Sequence, residues 1–220
     1  MNKKLVKELE LALPNGLSGM IFDCDGVLLD SWDSHVVFYN LVRDYFKLPP
    51  MSEADKHYVH MHTSMQSFAR ILPPHCMERL GEAMQNIDYI RDIVPHIAPS
   101  SGIFELLQGL KEKGVRLAVH TNRTSLAGEV LSCFNLKDYF DPVVTAGTHQ
   151  PKPSPEGIFA ILDVWQADPE AVLFVGDSQL DEKAADSAGV KLVAYKNSEL
   201  DSCVHVDDFK ELLTAFNQVL

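Results

Sequence analysis

Asp23 and Asp25 stand two positions apart in Asp23-Cys24-Asp25-Gly26-Val27, so on an extended backbone both carboxylates point to one side while Gly26 permits a sharp exit. Such a pair suits a nucleophile and a proton-handling partner. A carboxylate that attacks phosphorus forms an aspartyl phosphate, and a second carboxyl group protonates the leaving oxygen and then activates water. The same residues also make an Asp-rich turn, because Asp and Gly favour turns. A second acidic motif, Gly176-Asp177-Ser178-Gln179-Leu180-Asp181, adds carboxylates that converge on the first pair if the two segments are neighbours. Oxygen-only ligands of this kind indicate a hard cation, and magnesium suits phosphoryl transfer. Asp181 fits a supporting place in that shell and equally an N-terminal helix cap, and the two roles are compatible. Thr121 offers a hydroxyl and Asn122 a backbone N–H for phosphoryl oxygens, although Thr-Asn after a strand is also an ordinary cap or turn. Lys152 sits in Gln150-Pro151-Lys152-Pro153-Ser154-Pro155, where the prolines would hold an ammonium group with little freedom; a solvated loop lysine is the alternative.

All of these residues fall where apolar runs end. Ser18 to Phe22 runs into Asp23, Val115 to His120 into Thr121-Asn122, and Ala171 to Val175 into Gly176-Asp177, while Lys191 to Tyr195 and Pro142 to Thr145 read as further strands. Helical patterns lie between them, over 102–113, 125–134, 156–165 and 181–188, with Gly114 and Gly189 as stops. Alternating strands and helices with right-handed crossovers predict an α/β fold with a Rossmann-like parallel sheet, whose ligands lie outside the carboxyl ends of the strands. Over 32–95 the strand signals vanish and helical stretches replace them, at 35–46, 53–62, 65–72 and 76–93. This predicts a core of residues 1–31 and 96–220 with a helical subdomain, residues 32–95, inserted after the first strand. Leu5, Leu9 and Leu13 form one stripe of an amphipathic lead-in helix.

Bulk properties restrict the partners. The 220 residues carry a formal net charge of −12, which argues against general nucleic-acid binding because a phosphate backbone demands a basic face. No apolar run approaches the roughly 20 residues that span a bilayer, and the N-terminus lacks the apolar region of a secretion signal. Cys24, Cys76, Cys133 and Cys203 lie far apart, without zinc-site spacing or disulfide density, as expected of reduced thiols in a cytoplasmic protein. A small phosphorylated molecule, with no nucleic acid and no membrane, is the expected partner. A monomer or a homodimer is the expected assembly.

Taken in order, Asp23-x-Asp25-Gly26-Val27, Thr121-Asn122, Lys152-Pro153 and Gly176-Asp177-Ser178-x-x-Asp181 resemble the four motifs of the haloacid dehalogenase superfamily, in its phosphoglycolate phosphatase and beta-phosphoglucomutase-like branch. The resemblance runs from about Gly19 to Tyr195. It implies a Rossmann-like core with a helical cap and a magnesium-dependent phosphatase working through an aspartyl phosphate. Asp23 would be nucleophile and metal ligand, and Asp25 the acid/base with its carbonyl on the metal. Asp177 would be a metal ligand, Asp181 a supporting carboxylate, and Thr121, Asn122 and Lys152 the phosphoryl-binding groups, with Lys152 also offsetting charge on Asp23. The presence of Asp25 disfavours carbon–halogen cleavage, which needs no leaving-group protonation. A phosphomutase would use the same residues, and a phosphonate hydrolase would need a cap lysine that neither Lys47 nor Lys56 supplies in a matching motif.

The resemblance also points to the cap for specificity. His35 lies five residues after Asp30, where several relatives carry a histidine near the active site, although a packing or surface histidine fits as well. His62 falls in a segment, residues 57–66, where relatives place a specificity loop, commonly with a glycine that this chain lacks. Three histidines at 57, 60 and 62 have no carboxylate or cysteine partner at zinc-like spacing, so a solvated helix end is expected there. Arg70 is a candidate for a second anionic group of the substrate, or pairs with Glu53 or Asp55.

Overall fold

The computed structural model of the chain describes residues 2–61 and 64–220. The chain divides into two compact units, one formed by Met1–Leu29 and Pro99–Leu220, the other by Asp30–Ala98.

The first unit begins with helix α1 (Lys3–Ala12), whose Leu5, Leu9 and Ala12 are buried, and continues into strand β1 (Gly19–Phe22). Strands β2 (Leu29–Asp30) and β3 (Ala98–Pro99) pair with each other where the chain passes into the second unit and returns. Before the return, the chain forms helices α2 (Trp32–Tyr45), α3 (Glu53–Met61), α4 (Ser64–Ile71), α5 (Pro74–Met77) and α6 (Leu80–Gln85). After it come α7 (Ile103–Glu112), β4 (Arg116–Thr121), α8 (Ala127–Cys133), β5 (Val143–Thr145), α9 (Glu156–Trp165), β6 (Val172–Gly176), α10 (Gln179–Ala188), β7 (Lys191–Tyr195), β8 (Val204–Val206) and α11 (Phe209–Val219).

Six strands form one parallel sheet in the order β5-β4-β1-β6-β7-β8. The chain builds outward from β1 first on one side and then on the other, so the order reverses at β1. Both faces are covered, and β1 and β6 are therefore buried along their whole length. Ile21, Ala118, Phe174 and Leu192 pack with Ile158, Ile161, Trp165, Ala184 and Ala188 of α9 and α10 in one core cluster. Met20, Phe22, Val119, Leu173 and Val193, which alternate to the opposite face, are buried as well. The α/β parallel-sheet architecture is the one expected from the alternation of elements.

The second unit has its own core of Tyr39, Val42, Met51, Val59, Phe68, Ile71, Leu72, Cys76, Leu80 and Ala83. Phe38, Tyr39 and Phe68 meet edge to face, with centroids 5.1 to 6.0 Å apart. Its last segment corrects the expectation of one helix over 76–93. The run breaks into α5 and α6, and Asp88 then restarts the chain by accepting hydrogen bonds from the backbone N–H groups of Ile90 and Arg91, opening a five-residue π turn over Tyr89–Ile93. A side chain that caps its neighbours competes in this way with helix continuation. Among the described residues no helix is long and apolar enough to cross a membrane.

Candidate active site

The carboxyl ends of β4, β1 and β6 converge because these three strands are neighbours in register. Phe22 lies level with Val119 on one side and Val175 on the other, so the next residue, Asp23, stands at the level of His120 and Gly176. Its backbone N–H donates to the Val175 carbonyl at 2.9 Å, which continues the ladder one step beyond the strand.

Around Asp23 the side chains form a tight ionic group. Lys152 Nζ lies 2.6 Å from Asp23 Oδ1 and 2.6 Å from Asp181 Oδ1, and all three side chains are nearly inaccessible to solvent. Asp181 is fixed further by the capping box of α10: Ser178 Oγ donates to it at 2.5 Å and the Ser178 N–H at 3.0 Å. The expectation of Asp181 as the N-terminal cap is thereby corrected: Ser178 is the cap, and Asp181, the third residue of α10, is its capping-box partner as well as a member of the acidic cluster. Carboxylate oxygens of Asp23, Asp177 and Asp181 all lie within 4.8 Å of one another.

Charge does not balance in this group, because three carboxylates face one ammonium. Burial pushes the Asp23 carboxyl well above its ordinary value, with Asp181 and Asp177 adding to the effect and Lys152 opposing it. Burial and Asp181 push Asp177 up to about 7. Burial works against the Lys152 ammonium, but Asp23 and Asp181 outweigh it and hold its pKa above the usual lysine range. Two uncompensated negative charges on oxygen ligands match what a divalent hard cation supplies, so these residues fit a metal.

Asp25 lies outside that cluster. After Cys24 the chain turns at Gly26 (φ +79°), whose N–H donates to the Leu29 carbonyl at 2.8 Å, and a Cβ there would stand 2.0 Å from Asp177 Oδ2. Glycine is therefore required both by the turn and by the close approach of Asp177. The Asp25 carboxylate is gripped by Arg123 through two hydrogen bonds, Nε to Oδ2 at 2.8 Å and Nη2 to Oδ1 at 2.7 Å. Between the acidic residues, Cys24 is buried and its thiol is pushed up by that burial, so it takes the part of an inert apolar residue.

Thr121 is buried at the tip of β4, and its Oγ1 accepts from the Arg123 N–H at 3.1 Å. Asn122 holds the Lys152 loop with its side chain: Oδ1 accepts from the Lys152 N–H at 2.7 Å, and Nδ2 donates to the Lys152 carbonyl at 3.0 Å. The sequence suggested only its backbone N–H for work at the site. Arg123 and Asn197 were missed. Arg123 is the residue next to the Thr-Asn pair, and Asn197, whose side chain donates to the Asp177 carbonyl at 2.8 Å, follows β7 at the same edge of the sheet. The rule that polar residues beyond strand ends face the ligand would have found both.

The cap candidates belong to the second unit. His35 is exposed on the first turn of α2, its N–H donating to the Ser31 carbonyl at 3.2 Å. Arg70 pairs with Asp55 at 3.1 Å and lies over the Tyr58 ring at 5.4 Å, the pairing being one of those its sequence context suggested. His62 lies outside the described residues.

A family model for haloacid dehalogenase-like hydrolases matches residues 20–195, most of the chain. The chain belongs to this family. Among haloacid dehalogenase-like relatives, a phosphoglycolate phosphatase of Caulobacter vibrioides is 30% identical over 189 residues, covering 81% of this chain and 79% of the relative. A phosphoglycolate phosphatase of Aquifex aeolicus is 36% identical over 105 residues, and there the chain matches about half of the relative's length, 49%. A crystal structure of a haloacid dehalogenase superfamily hydrolase, subfamily IA, variant 1, from Geobacter sulfurreducens superposes with a TM-score of 0.83 at 32% identity, over 94% of this chain and 98% of that one.

Proposed function

We propose that this protein is a magnesium-dependent phosphatase that hydrolyses a small phosphorylated metabolite, a phosphoglycolate-like acid or a sugar phosphate, through an aspartyl phosphate on Asp23. The observation that carries the reading is Asp23 itself, a buried carboxylate at the tip of the central strand, 2.6 Å from Lys152 and within the three-carboxylate cluster. The curated relatives named phosphoglycolate phosphatase support the substrate class.

Asp23, Asp177 and Asp181, with the Asp25 carbonyl, are the groups we assign to the ion. When bound, magnesium would supply, beside Asp23, the positive charge that the cluster lacks. Thr121, Asn122 and Lys152 bind those oxygens, and Lys152 holds the Asp23 carboxylate in place. Asp23 attacks phosphorus, so that its O–P bond forms as the bond to the leaving oxygen breaks, and Asp25 delivers the proton that the leaving oxygen needs. In the second half Asp25 accepts a proton from water as that water attacks phosphorus, which frees Asp23 and inorganic phosphate. We assign this chemistry to residues 1–31 and 96–220, with 32–95 as the cap.

The test is release of phosphate from p-nitrophenyl phosphate and a panel of metabolite phosphates. Release that depends on magnesium, stops with chelator and falls by at least about a thousandfold in Asp23→Asn is the expected result. A wild-type protein that releases no phosphate with metal, or an Asp23→Asn variant as active as wild type, counts against the proposal.

A further inference from the structure

Arg123 belongs to none of the four motifs, yet it is among the most firmly held residues of the site. Its N–H donates to Thr121 Oγ1 at 3.1 Å and its carbonyl accepts from the Ala146 N–H at 3.0 Å, so its backbone is tied to both β4 and the segment after β5. The side chain is only 11% exposed, against 27% for that of Asp25. It reaches across from the tip of β4 to the turn after β1 and takes both oxygens of the Asp25 carboxylate in a fork. A guanidinium in this geometry fixes the carboxylate plane as well as its place, which a single ammonium cannot do.

The consequence is a division among four neighbouring carboxylates. Asp23, Asp177 and Asp181 draw together around Lys152, whereas Asp25, two residues from Asp23, is held apart on its own cation. Asp25 sits where the chain turns at Gly26, and the fork restrains its side chain from the tip of β4. We infer that Arg123 is a positioning residue: its forked pair keeps the Asp25 carboxylate, though not its carbonyl, out of the metal-binding cluster and oriented for proton delivery to the leaving oxygen. The inference rests on the reading of Asp25 as the acid/base above. In that step the O–H bond of Asp25 breaks and its proton goes to the leaving oxygen as the P–O bond breaks and the Asp23 O–P bond forms. The carboxylate left on Asp25 is then received by the two N–H groups of Arg123.

A group that acts through proton delivery matters in proportion to how much the leaving oxygen needs a proton. The test compares kcat/KM for phenyl phosphate, whose leaving group is the stronger base, with that for p-nitrophenyl phosphate, a substrate of nearly the same size. In Arg123→Gln, phenyl phosphate should lose about tenfold to a hundredfold, p-nitrophenyl phosphate less than about threefold, and Arg123→Lys should fall between wild type and Arg123→Gln. In an Asp25→Asn background, Arg123→Gln should cost neither substrate anything further. Equal losses for the two substrates, a loss that persists undiminished in the Asp25→Asn background, or no loss at all overturns the inference. Melting curves identify a variant that fails to fold, in which case the Arg123→Lys comparison decides alone. A wild-type protein inactive on both substrates would instead remove the phosphatase reading itself.

Discussion

Asp177 keeps its proton up to about pH 7 because it is buried beside Asp181 with too little positive charge in reach. The unfolded chain releases that proton near pH 3.8, so between these values the folded form holds a proton that the unfolded form has lost, and its contribution to stability declines as the pH rises through 7. Above that point the cluster carries its negative charge uncompensated, and a divalent cation has most to offer. Magnesium should therefore raise the melting temperature more at pH 8 than at pH 6, where protons compete for the same oxygen. Melts with and without the ion at both values check this, and a larger shift at pH 6 would contradict it. The cluster's members were legible because their types and strand-end positions are written in the sequence. The Arg123 to Asp25 pair was not, since it links neighbouring strands through a side-chain direction that linear spacing does not carry.

At the scale of elements, the Lys152 loop leads into α9, which packs against β4. Gly157 lies in the first turn of α9, and a Cβ there would stand 2.3 Å from Nε2 of His120. The imidazole cannot yield easily: it is buried, faces Phe174 at 5.9 Å, and is kept neutral by burial and by Lys152, which lower its pKa to about 3. Gly157→Ala should thus lift the start of α9, destabilise the protein by about 1–3 kcal/mol and loosen the Lys152 loop that leads into it. Urea unfolding gives the first quantity, and a raised KM for p-nitrophenyl phosphate reports the second. Strands β1, β4 and β6 were legible because each is an apolar run with an abrupt polar end, and α9 runs over the very residues its pattern suggested. Strand β8 was not, because in Val204-His205-Val206 a histidine interrupts the apolar run, and the segment owes its place to pairing with β7. The π turn at Tyr89–Ile93 was hidden for another reason, that the apolar spacing persists while Asp88 redirects the backbone.

For the molecule as a whole, each unit has its own core, and the two are expected to unfold separately. Phe68 is buried at the centre of the aromatic group in the second unit, and Phe68→Ala should cost that unit about 3–5 kcal/mol. The two tryptophans provide separate reporters, with Trp32 in the second unit and Trp165, buried against the sheet, in the first. In a Trp32→Phe background, Phe68→Ala should advance part of the far-UV signal to lower denaturant while the Trp165 emission unfolds where it did before. A single transition seen identically by both probes would mean that the two cores unfold as one.

Strands β2 and β3 give the inserted segment a single doorway. Its first and last residues lie on paired strands, about 4.8 Å apart, so the 69-residue excursion from Asp30 to Ala98 begins and ends at nearly one point. An exchange of that segment for another, longer or shorter, is therefore expected to leave the path of the six-stranded sheet, and with it the carboxylates of the cluster, in place. The insertion is in this sense a detachable module, bounded by one strand pair and carrying its own core.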